Sequence, residues 1–520
     1  MSEPLVALPA LIAQRARECP GRPFLQHVGG ESLTFGDVQA RALVWARRLR
    51  GLGVKDGDRV VVMLPASFEA VTVWLGIGWL KAVEVPVHTE FRGRMLQYAI
   101  STVAPVAMVV HASFRDRVEE VEDQLPSGLQ LALVGEPERS LQAEDAEREG
   151  SGELQLAPPQ PHELSGILYT SGTTGPSKGV MITWAHAQAM SEGCVPLEPL
   201  GSDDAWYSPY PLFHASGKIP VYSMALLGGR VVIRERFDGT AFWGDIEHFR
   251  CTITMMIGAT AGYIAARRVA EKVTDSPLRF VLVSPPPADP PAFEREFGVR
   301  ICSTFNMTEI SAPISSEWRP MRNRTCGRVR AGYECRIVNE LDEELPDGTP
   351  GELIVRSEAP WRLTLGYWNM PEKTVEAWRN GWFHTGDVCV KTSDGEFFFV
   401  DRLKDAIRRR GENISSMEVE AVVIEYEDVQ ECAAFGVPAD DGEEEVKIAV
   451  VAADPDSFDP ARLIEFLAPR LPRFMVPRYV EVVESLPRTA TEKVQKDALR
   501  AAGVTASTWD RRAAGVEVAR

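Results

Sequence analysis

The sequence lacks the usual features of a secreted, zinc-binding or membrane-spanning protein. Its eight cysteines are scattered and none forms a CxxC pair, which argues against a zinc site and favours a reducing compartment. No apolar run reaches membrane-spanning length, and VAPVAMVV (103–110) is interpreted as a buried strand. The N-terminus has no basic start followed by an apolar core, so no signal peptide is predicted and a cytoplasmic location is expected.

The chain also carries fewer positive than negative side chains. The 520 residues include 56 Lys and Arg against 74 Asp and Glu, a net charge of −18. This balance argues against broad nucleic-acid binding, although it leaves room for a local basic pocket that holds a nucleotide.

The chain is too long for a single hydrophobic core, so two or more domains are predicted.

Helical patterns alternate with short Val-rich strands through most of the chain, which predicts an α/β fold with largely parallel sheets. The stretch SFEAVTVWLGIGWLKA (67–82) is interpreted as an amphipathic helix. The strand candidates are RVVVML (59–64), GGRVVI (228–233), TITMMIGA (252–259) and LRFVLV (278–283). The polar residues 136–163 are expected to form a surface connection.

The pattern changes near residue 326. Short alternating strands separated by Asp-Gly and Pro-Gly turns predict a small β subdomain. A compact α+β pattern follows Asp401, with a helix predicted at ARLIEFLAPRL (461–471). We therefore expect a large N-terminal domain at 1–401 and a small C-terminal domain at 402–520, with a hinge near 401–404.

The stretch YTSGTTGPSKGV (169–180) places glycines, hydroxyl residues and one lysine between two apolar segments. Glycine lets backbone amides approach an oxygen closely, hydroxyls add donors and Lys178 adds charge, so the loop suits a phosphate. It is not a Walker-type loop, because the position five residues after Gly172 is Ser177.

Four further stretches carry polar groups in suggestive patterns. FNMTEI (305–310) combines a ring, a hydroxyl and a carboxylate, a set that suits a nucleobase, a phosphate and Mg²⁺. Taken alone, it is also consistent with a helix N-terminus capped by Thr308. GWFHTGDV (381–388) offers Asp387 to a ribose, or forms a hairpin turn. The other two stretches are DRLKDAIRRRGENIS (401–415) and LPRTATEKVQK (486–496).

In this order and spacing, the five stretches resemble the adenylate-forming superfamily, over nearly the whole chain. VPVHTEFRGRML, PWRLTLGYWNMPEKTVEAWRNGWFHTGD and TWDRRAAG look most like the crotonobetaine/carnitine-CoA ligase type. The resemblance implies a two-step reaction in which ATP and Mg²⁺ activate an acid as an acyl-adenylate, and CoA then takes the acyl group. It also implies that the C-terminal domain rotates between the two steps.

The resemblance assigns roles to individual residues. It implies that the catalytic groups are Lys493, Glu309, Thr308 and Lys178, with Glu309 as the magnesium ligand. The expected ATP- and AMP-binding residues are Thr170, Ser171, Gly172, Thr173, Thr174, Gly175, Phe305 stacked on adenine, Asn306, Thr308, Asp387, Arg402 and Lys493. Lys404 occupies the hinge position. His214, Asn306 and Lys218 are expected at the acyl pocket, where Lys218 either reaches a second anionic group or faces solvent.

Several positions depart from the family pattern. Phe305 stands in place of a tyrosine, Asn306 in place of a glycine, and Glu492 in place of the glycine before the catalytic lysine. SPPPADPP (284–291) replaces a Gly-Ala-rich segment. Because Asn306 adds volume and an amide, we expect a small or polar acid substrate rather than a long-chain one.

Three functions remain open on this basis. The first is an acid–CoA ligase. The second is an adenylating enzyme with an amine acceptor, including activation of nitrite for attack by an aryl amine. The third is a nucleotide-binding protein that has lost catalysis. The expected partners are an acid, ATP and CoA, with no nucleic acid and no membrane span, and either a monomer or a homodimer is consistent with the sequence.

Overall fold

A computed structural model describes residues 5–135, 156–170, 177–271, 276–287, 289–321, 323–402, 405, 407–409, 412–438, 444–488 and 493–516. Within these ranges, no helix has the length and apolar character needed to cross a bilayer. The polar connection predicted at 136–163 falls mostly outside the described residues.

The helices are α1 (Leu8–Glu18), α2 (Phe35–Gly51), α3 (Phe68–Trp79), α4 (Gly93–Ser101), α5 (Arg115–Glu119), α6 (Trp184–Cys194), α7 (Ala215–Leu227), α8 (Phe242–His248), α9 (Gly258–Glu271), α10 (Pro290–Phe297), α11 (Pro371–Ala377), α12 (Ser416–Val423), α13 (Pro460–Leu467) and α14 (Lys496–Ala502). Short 3₁₀ turns lie at Ala112–Phe114 and Glu122–Gln124.

The strands are β1 (Pro23–His27), β2 (Ser32–Thr34), β3 (Arg59–Met63), β4 (Val83–Pro86), β5 (Ala107–His111), β6 (Gln130–Val134), β7 (Leu164–Thr170), β8 (Lys178–Thr183), β9 (Ala205–Ser208), β10 (Arg230–Ile233), β11 (Ile253–Ile257), β12 (Phe280–Ser284), β13 (Arg300–Cys302), β14 (Thr304–Met307), β15 (Ser311–Ser315), β16 (Arg328–Val329), β17 (Tyr333–Val338), β18 (Gly351–Ser357), β19 (Trp378–Arg379), β20 (Trp382–Lys391), β21 (Phe397–Arg402), β22 (Ile407–Arg409), β23 (Glu412–Ile414), β24 (Val429–Pro438), β25 (Glu444–Ala452), β26 (Tyr479–Val482) and β27 (Trp509–Asp510).

Two large sheets form most of the N-terminal part, and their strands run mainly parallel, as predicted. One has the order β6-β5-β3-β4-β7-β8, and only the β7–β8 hairpin in it is antiparallel. The other has the order β13-β12-β11-β9-β10-β1-β2, with β2 antiparallel to β1. Parallel strands need crossover connections, and the intervening helices supply them.

Helix α3 lies between helices and sheet, and the expectation that it is amphipathic is wrong. Every residue of α3 except Glu69 is buried. Gly76 lets α3 approach α2 closely, since a Cβ there would lie 2.6 Å from Cβ of Trp45. A helix enclosed on all sides carries apolar residues all round, so its sequence has no polar face to detect.

The later part of the chain is β-rich and then α+β, as the sequence predicts. Strands β17, β18, β20, β19 and β21 form a small antiparallel sheet. Strands β24 to β27 form a separate four-stranded sheet. The helix predicted at 461–471 is present, although it ends at Leu467.

Candidate active site

One cavity of about 1440 Å³ receives residues from both large sheets, the small antiparallel sheet and the C-terminal region. Many of the residues singled out in the sequence line it, although they are up to 323 positions apart (493 − 170). These are Thr170, Lys178, His214, Asn306, Thr308, Glu309, Asp387, Arg402 and Lys493. Ser171, Gly172, Thr173, Thr174, Gly175 and the hinge position Lys404 lie outside the described residues, so their roles remain predictions.

The phosphate-loop candidate connects the two strands of a hairpin. Thr170 ends β7 and pairs with Lys178, the first residue of β8. Lys178 Nζ lies 4.4 Å from the ring centroid of Tyr367, within the range of a cation–π contact. The hairpin thus brings one hydroxyl and one ammonium group to the same edge of the cavity.

Glu309 is buried in the turn after β14. Its Oε1 accepts a hydrogen bond from the Tyr367 hydroxyl (3.1 Å), and its carbonyl accepts one from the Thr364 amide (2.8 Å). The first contact holds the carboxylate and the second holds the backbone of the turn, at the cavity beside Thr308. The helix-cap alternative for Thr308 is not what the structure has, because β14 continues through a turn into β15.

A single carboxylate at this place fits Mg²⁺. No group of three or more metal-binding side chains occurs in the part of the chain that the structure describes. Mg²⁺ usually keeps several waters and is held by one or two carboxylates together with substrate phosphates. Glu309 lines the cavity together with Thr170, Lys178 and Thr308, which are the predicted phosphate-binding residues, so it meets that requirement.

Asp387 and Arg402 face each other across β20 and β21. Arg402 Nε lies 3.6 Å from Asp387 Oδ1. Burial raises the pKa of Asp387 to about 6, against the opposing effect of Arg402, and the nearby charge of Glu309 adds to the rise. The carboxylate is therefore ionised at neutral pH and has its acceptor atoms in the cavity.

Lys493 enters the same cavity from the C-terminal region. Burial and the neighbouring charge of Arg402 lower the pKa of Lys493, while Glu309 and Asp387 raise it. The ammonium group therefore lies within electrostatic range of the predicted magnesium ligand and the predicted ribose-binding pair. Such a cation, partly desolvated beside acidic groups, is suited to receive a phosphate.

His214 caps the N-terminus of α7, and its ring is exposed to the cavity. Its Nδ1 accepts a hydrogen bond from the Ser216 amide (3.2 Å). Enclosure by protein, together with the charges of Lys493 and His88, lowers the pKa of His214 to about 4. The ring is therefore neutral at neutral pH and does not attract an anion by charge.

Apolar residues continue the cavity wall beside His214 and Asn306. Cys194, Ile219, Met255 and Leu282 line the cavity and belong to one hydrophobic core. We call these four residues, with His214 and Asn306, the acyl wall. Its polar groups are an imidazole that is neutral at neutral pH and an amide.

Phe305 does not lie with Asn306 in the cavity. Successive residues of a strand point to opposite faces, so Thr304 and Asn306 line the cavity while Phe305 faces away. The Phe305 ring is buried in the core of the small β subdomain, with its centroid 6.4 Å from that of Phe399. The structure therefore does not bring this ring to the position expected of an adenine-stacking group.

The expectations for Lys218 are wrong. The side chain is buried, its Nζ lies 2.6 Å from Glu84 Oε2, and it is 3.8 Å from the ring centroid of Trp74. It neither faces solvent nor lines the cavity. Residues four apart share a face only where both have helical backbone. His214 is the extended N-cap of α7 (φ −117°, ψ 153°), so helical spacing does not place its side chain beside that of Lys218.

Sequence reasoning missed two groups at the site. Tyr367 holds the Glu309 carboxylate, and Glu352 accepts a hydrogen bond from the backbone next to Asp387. Tyr367 lies in a stretch that supported the resemblance but received no role there, and Glu352 lies outside all the quoted stretches. Each bonds to a residue that is distant in the sequence, Tyr367 to Glu309 and Glu352 to Gly386, so no local sequence pattern reveals the contact.

Comparisons with known proteins agree with this geometry. Residues 12–368 match the family model described as AMP-binding enzyme, and residues 418–493 match that of the AMP-binding enzyme C-terminal domain. The chain is 30% identical over 502 residues to a sulfoacetate–CoA ligase from Cupriavidus necator (94% of this chain, 96% of that one). It is 27% identical over 474 residues to a crotonobetaine/carnitine–CoA ligase from Salmonella paratyphi A (88% and 90%).

A solved structure of ATP-bound MatB from Rhodopseudomonas palustris superposes with a TM-score of 0.83 at 26% identity, covering 95% of this chain and 99% of that one. The chain belongs to the AMP-binding enzyme family, within the adenylate-forming superfamily. It is an AMP-forming ligase of the acid–CoA ligase type, which uses ATP, Mg²⁺ and CoA.

Proposed function

We propose that this ligase activates a small or polar carboxylic acid and transfers it to CoA. The observation that carries the proposal is the chemistry of the acyl wall, where the exposed Asn306 amide and a neutral His214 line the same cavity. An amide facing a long alkyl chain would lose its hydrogen bonds to water without replacement. A short acid leaves room for water, and a polar one supplies a partner.

In the first step, the acid carboxylate attacks the α-phosphorus of ATP, and pyrophosphate leaves. Lys493 and Lys178 offset the negative charge that builds on the phosphates, with Thr170 and Thr308 as hydroxyl donors. Asp387 accepts hydrogen bonds from the ribose, with Arg402 in support. Glu309 would hold Mg²⁺, which would supply positive charge at the phosphates. No nucleophilic side chain is needed, because positioning and electrostatics supply the catalysis.

In the second step, the CoA thiol attacks the acyl-adenylate carbonyl and AMP leaves. The hinge near residues 401–404 would let the C-terminal domain withdraw Lys493 and admit the thiol. This motion is part of the proposal and is supported by the place of Lys493 on the far side of that hinge.

Pyrophosphate release across an acid panel tests the proposal. The panel comprises a short acid, sulfoacetate, crotonobetaine, an aryl acid, a long-chain fatty acid and nitrite, each with CoA or with an aryl amine. We expect the highest kcat/KM with a short or polar acid and CoA. Preference for the long-chain acid would contradict the substrate class, and release only with nitrite and an aryl amine would contradict CoA as the acceptor.

A further inference from the structure

The strand that carries Asp387 contains a bulge directly before it. Strands β18 and β20 pair Glu352 with Val388 and Ile354 with His384, so one residue of β18 stands opposite three residues of β20, 385–387. Gly386, inside this bulge, has φ of +69°, a left-handed conformation that glycine adopts readily. Bulges interrupt the ladder and redirect side chains, often beside active sites.

The backbone amides of the bulge bond to side chains. The Gly386 amide donates to Glu352 Oε1 (3.0 Å). The Asp387 amide donates to Thr385 Oγ1 (3.1 Å), and that hydroxyl donates to the Leu353 carbonyl (2.6 Å). Because buried amides need partners, Glu352 and Thr385 fix the path of the chain into Asp387.

The second carboxylate oxygen of Glu352 is also held. Glu352 Oε2 lies 2.9 Å from His384 Nδ1 and 3.5 Å from Arg379 Nη2. Arg379 Nη2 in turn lies 2.7 Å from His384 Nδ1. Nδ1 of His384 carries either a proton for Glu352 or a lone pair for Arg379, so the Arg379–His384 pair lies at one carboxylate oxygen. The Gly386 amide bonds to the other oxygen.

We propose that Glu352 is a positioning residue that aims the Asp387 carboxylate at the nucleotide ribose. The proposal rests on the ribose-binding role proposed for Asp387. Glu352 acts through the Gly386 amide, so it should govern nucleotide affinity without changing preference among acids. A residue that merely stabilised the sheet would lower the melting temperature and leave AMP affinity per folded molecule unchanged.

The test measures AMP binding by calorimetry to the full chain and five variants. We expect Glu352→Ala to weaken AMP binding about tenfold, since one charge-assisted hydrogen bond is lost. Glu352→Gln should recover most of the affinity, because its amide oxygen still accepts from Gly386. Glu334→Ala is the matched control, since Glu334 pairs with Arg356 (2.7 Å) in the same sheet but away from the bulge. It should bind AMP within twofold of the unchanged chain.

The decisive variant combines Glu352→Ala with Asp387→Asn. If Glu352 acts through Asp387, the double variant binds AMP no more weakly than Asp387→Asn alone. Two outcomes would overturn the role of Glu352 but leave the ribose role of Asp387 intact. In the first, the losses of AMP affinity in the two single variants add in the double variant. In the second, Glu352→Ala binds AMP with full affinity while Asp387→Asn binds it more weakly. Full affinity in Asp387→Asn would overturn the ribose role as well. Should the alanine variant fail to fold, Glu352→Asp, which keeps the charge but shortens the reach, takes its place.

Discussion

Two ion pairs, Lys218–Glu84 and Arg402–Asp387, differ in whether a ligand can reach their charges. Lys218 and Glu84 lie 2.6 Å apart, with side chains only 7% and 2% exposed. Arg402 and Asp387 lie 3.6 Å apart at the cavity, and 41% of the arginine side chain is exposed. The two charges of the first pair neutralise each other inside the protein. The charges of the second pair lie at the cavity, where a ligand can reach them.

The buried pair joins two parts of the fold. Glu84 is on β4, between β3 and β7, and Lys218 is on α7, which leads from His214. Burial raises the pKa of Glu84 and lowers the pKa of Lys218, while each charge stabilises the other. A charged residue near a functional motif is therefore not by itself a ligand-binding residue. The contrast predicts that one pair governs stability and the other governs chemistry.

The largest effect is expected at the buried pair. Lys218→Met leaves Glu84 buried without a partner and should lower the free energy of unfolding by about 3–5 kcal/mol. The double variant Glu84→Gln/Lys218→Met should recover most of that loss, and its KM for ATP should stay within twofold. Denaturant unfolding and steady-state kinetics measure both. If Lys218→Met lowered the free energy of unfolding by less than about 1 kcal/mol, which is typical of an exposed ion pair, the pair would not have the stabilising role assigned to it.

Lys493→Ala should come next, with an effect on rate rather than stability. Adenylate formation should fall about 10²–10³-fold, because a cation directed at the α-phosphate is lost. Thioester formation from a supplied acyl-adenylate should be nearly unchanged. Single-turnover assays of the two half-reactions separate these cases. Equal losses in both would show that the lysine is structural.

A third ion pair, in the C-terminal domain, should behave like the buried one. Burial opposes ionisation of Glu481, but hydrogen bonds from Lys447, Thr505 and Ser507 and the charge of Lys447 outweigh it and lower the pKa to about 2. Because the folded pKa lies below the unfolded one, this stabilisation is present at neutral pH and is lost as pH falls from about 5 to 2.

Because solvent partly screens this pair, the expected loss is about 1–2 kcal/mol over that range. Glu481→Gln should remove this pH dependence of the free energy of unfolding. Glu484→Gln is the control and should retain it, because no ion pair of Glu484 occurs among the described residues. Chemical denaturation at a series of pH values measures the slope. Identical slopes for the unchanged chain and Glu481→Gln would refute the assignment.

The smallest effect is expected at the acyl wall. Asn306→Gly removes volume and an amide, so kcat/KM for a medium-chain acid should rise about threefold to tenfold relative to a short polar acid. The KM for ATP should change little. Competition between the two acids in one reaction measures the ratio directly. An unchanged ratio would show that Asn306 does not contact the acid.

Much of the site was accessible from the sequence because its chemistry is concentrated in short stretches. Thr170, Lys178, Glu309, Asp387 and Lys493 each stand in a motif, and the fold brings all five to one cavity. Their roles stay predictions until tested. The alternation of helices and Val-rich strands likewise predicted the parallel sheets, since that pattern is set by local periodicity.

The errors have physical causes. Phe305 and Asn306 are neighbours in a strand, and the Phe305 ring packs into the core of the small β subdomain while Asn306 lines the cavity. The stretch itself does not reveal that it is a strand. Lys218 finds a partner 134 positions away, and Glu352 finds Gly386 across a bulge. Such partners depend on sheet order and register, which one sequence without its fold does not determine.

The most direct test of the account is the product balance of the full reaction. The chain is incubated with ATP, Mg²⁺, CoA and the best acid of the panel, and nucleotides and thioester are quantified by chromatography and mass spectrometry. The account predicts AMP, pyrophosphate and acyl-CoA in equal amounts. Formation of ADP, or AMP release without any thioester when CoA is present, would contradict it.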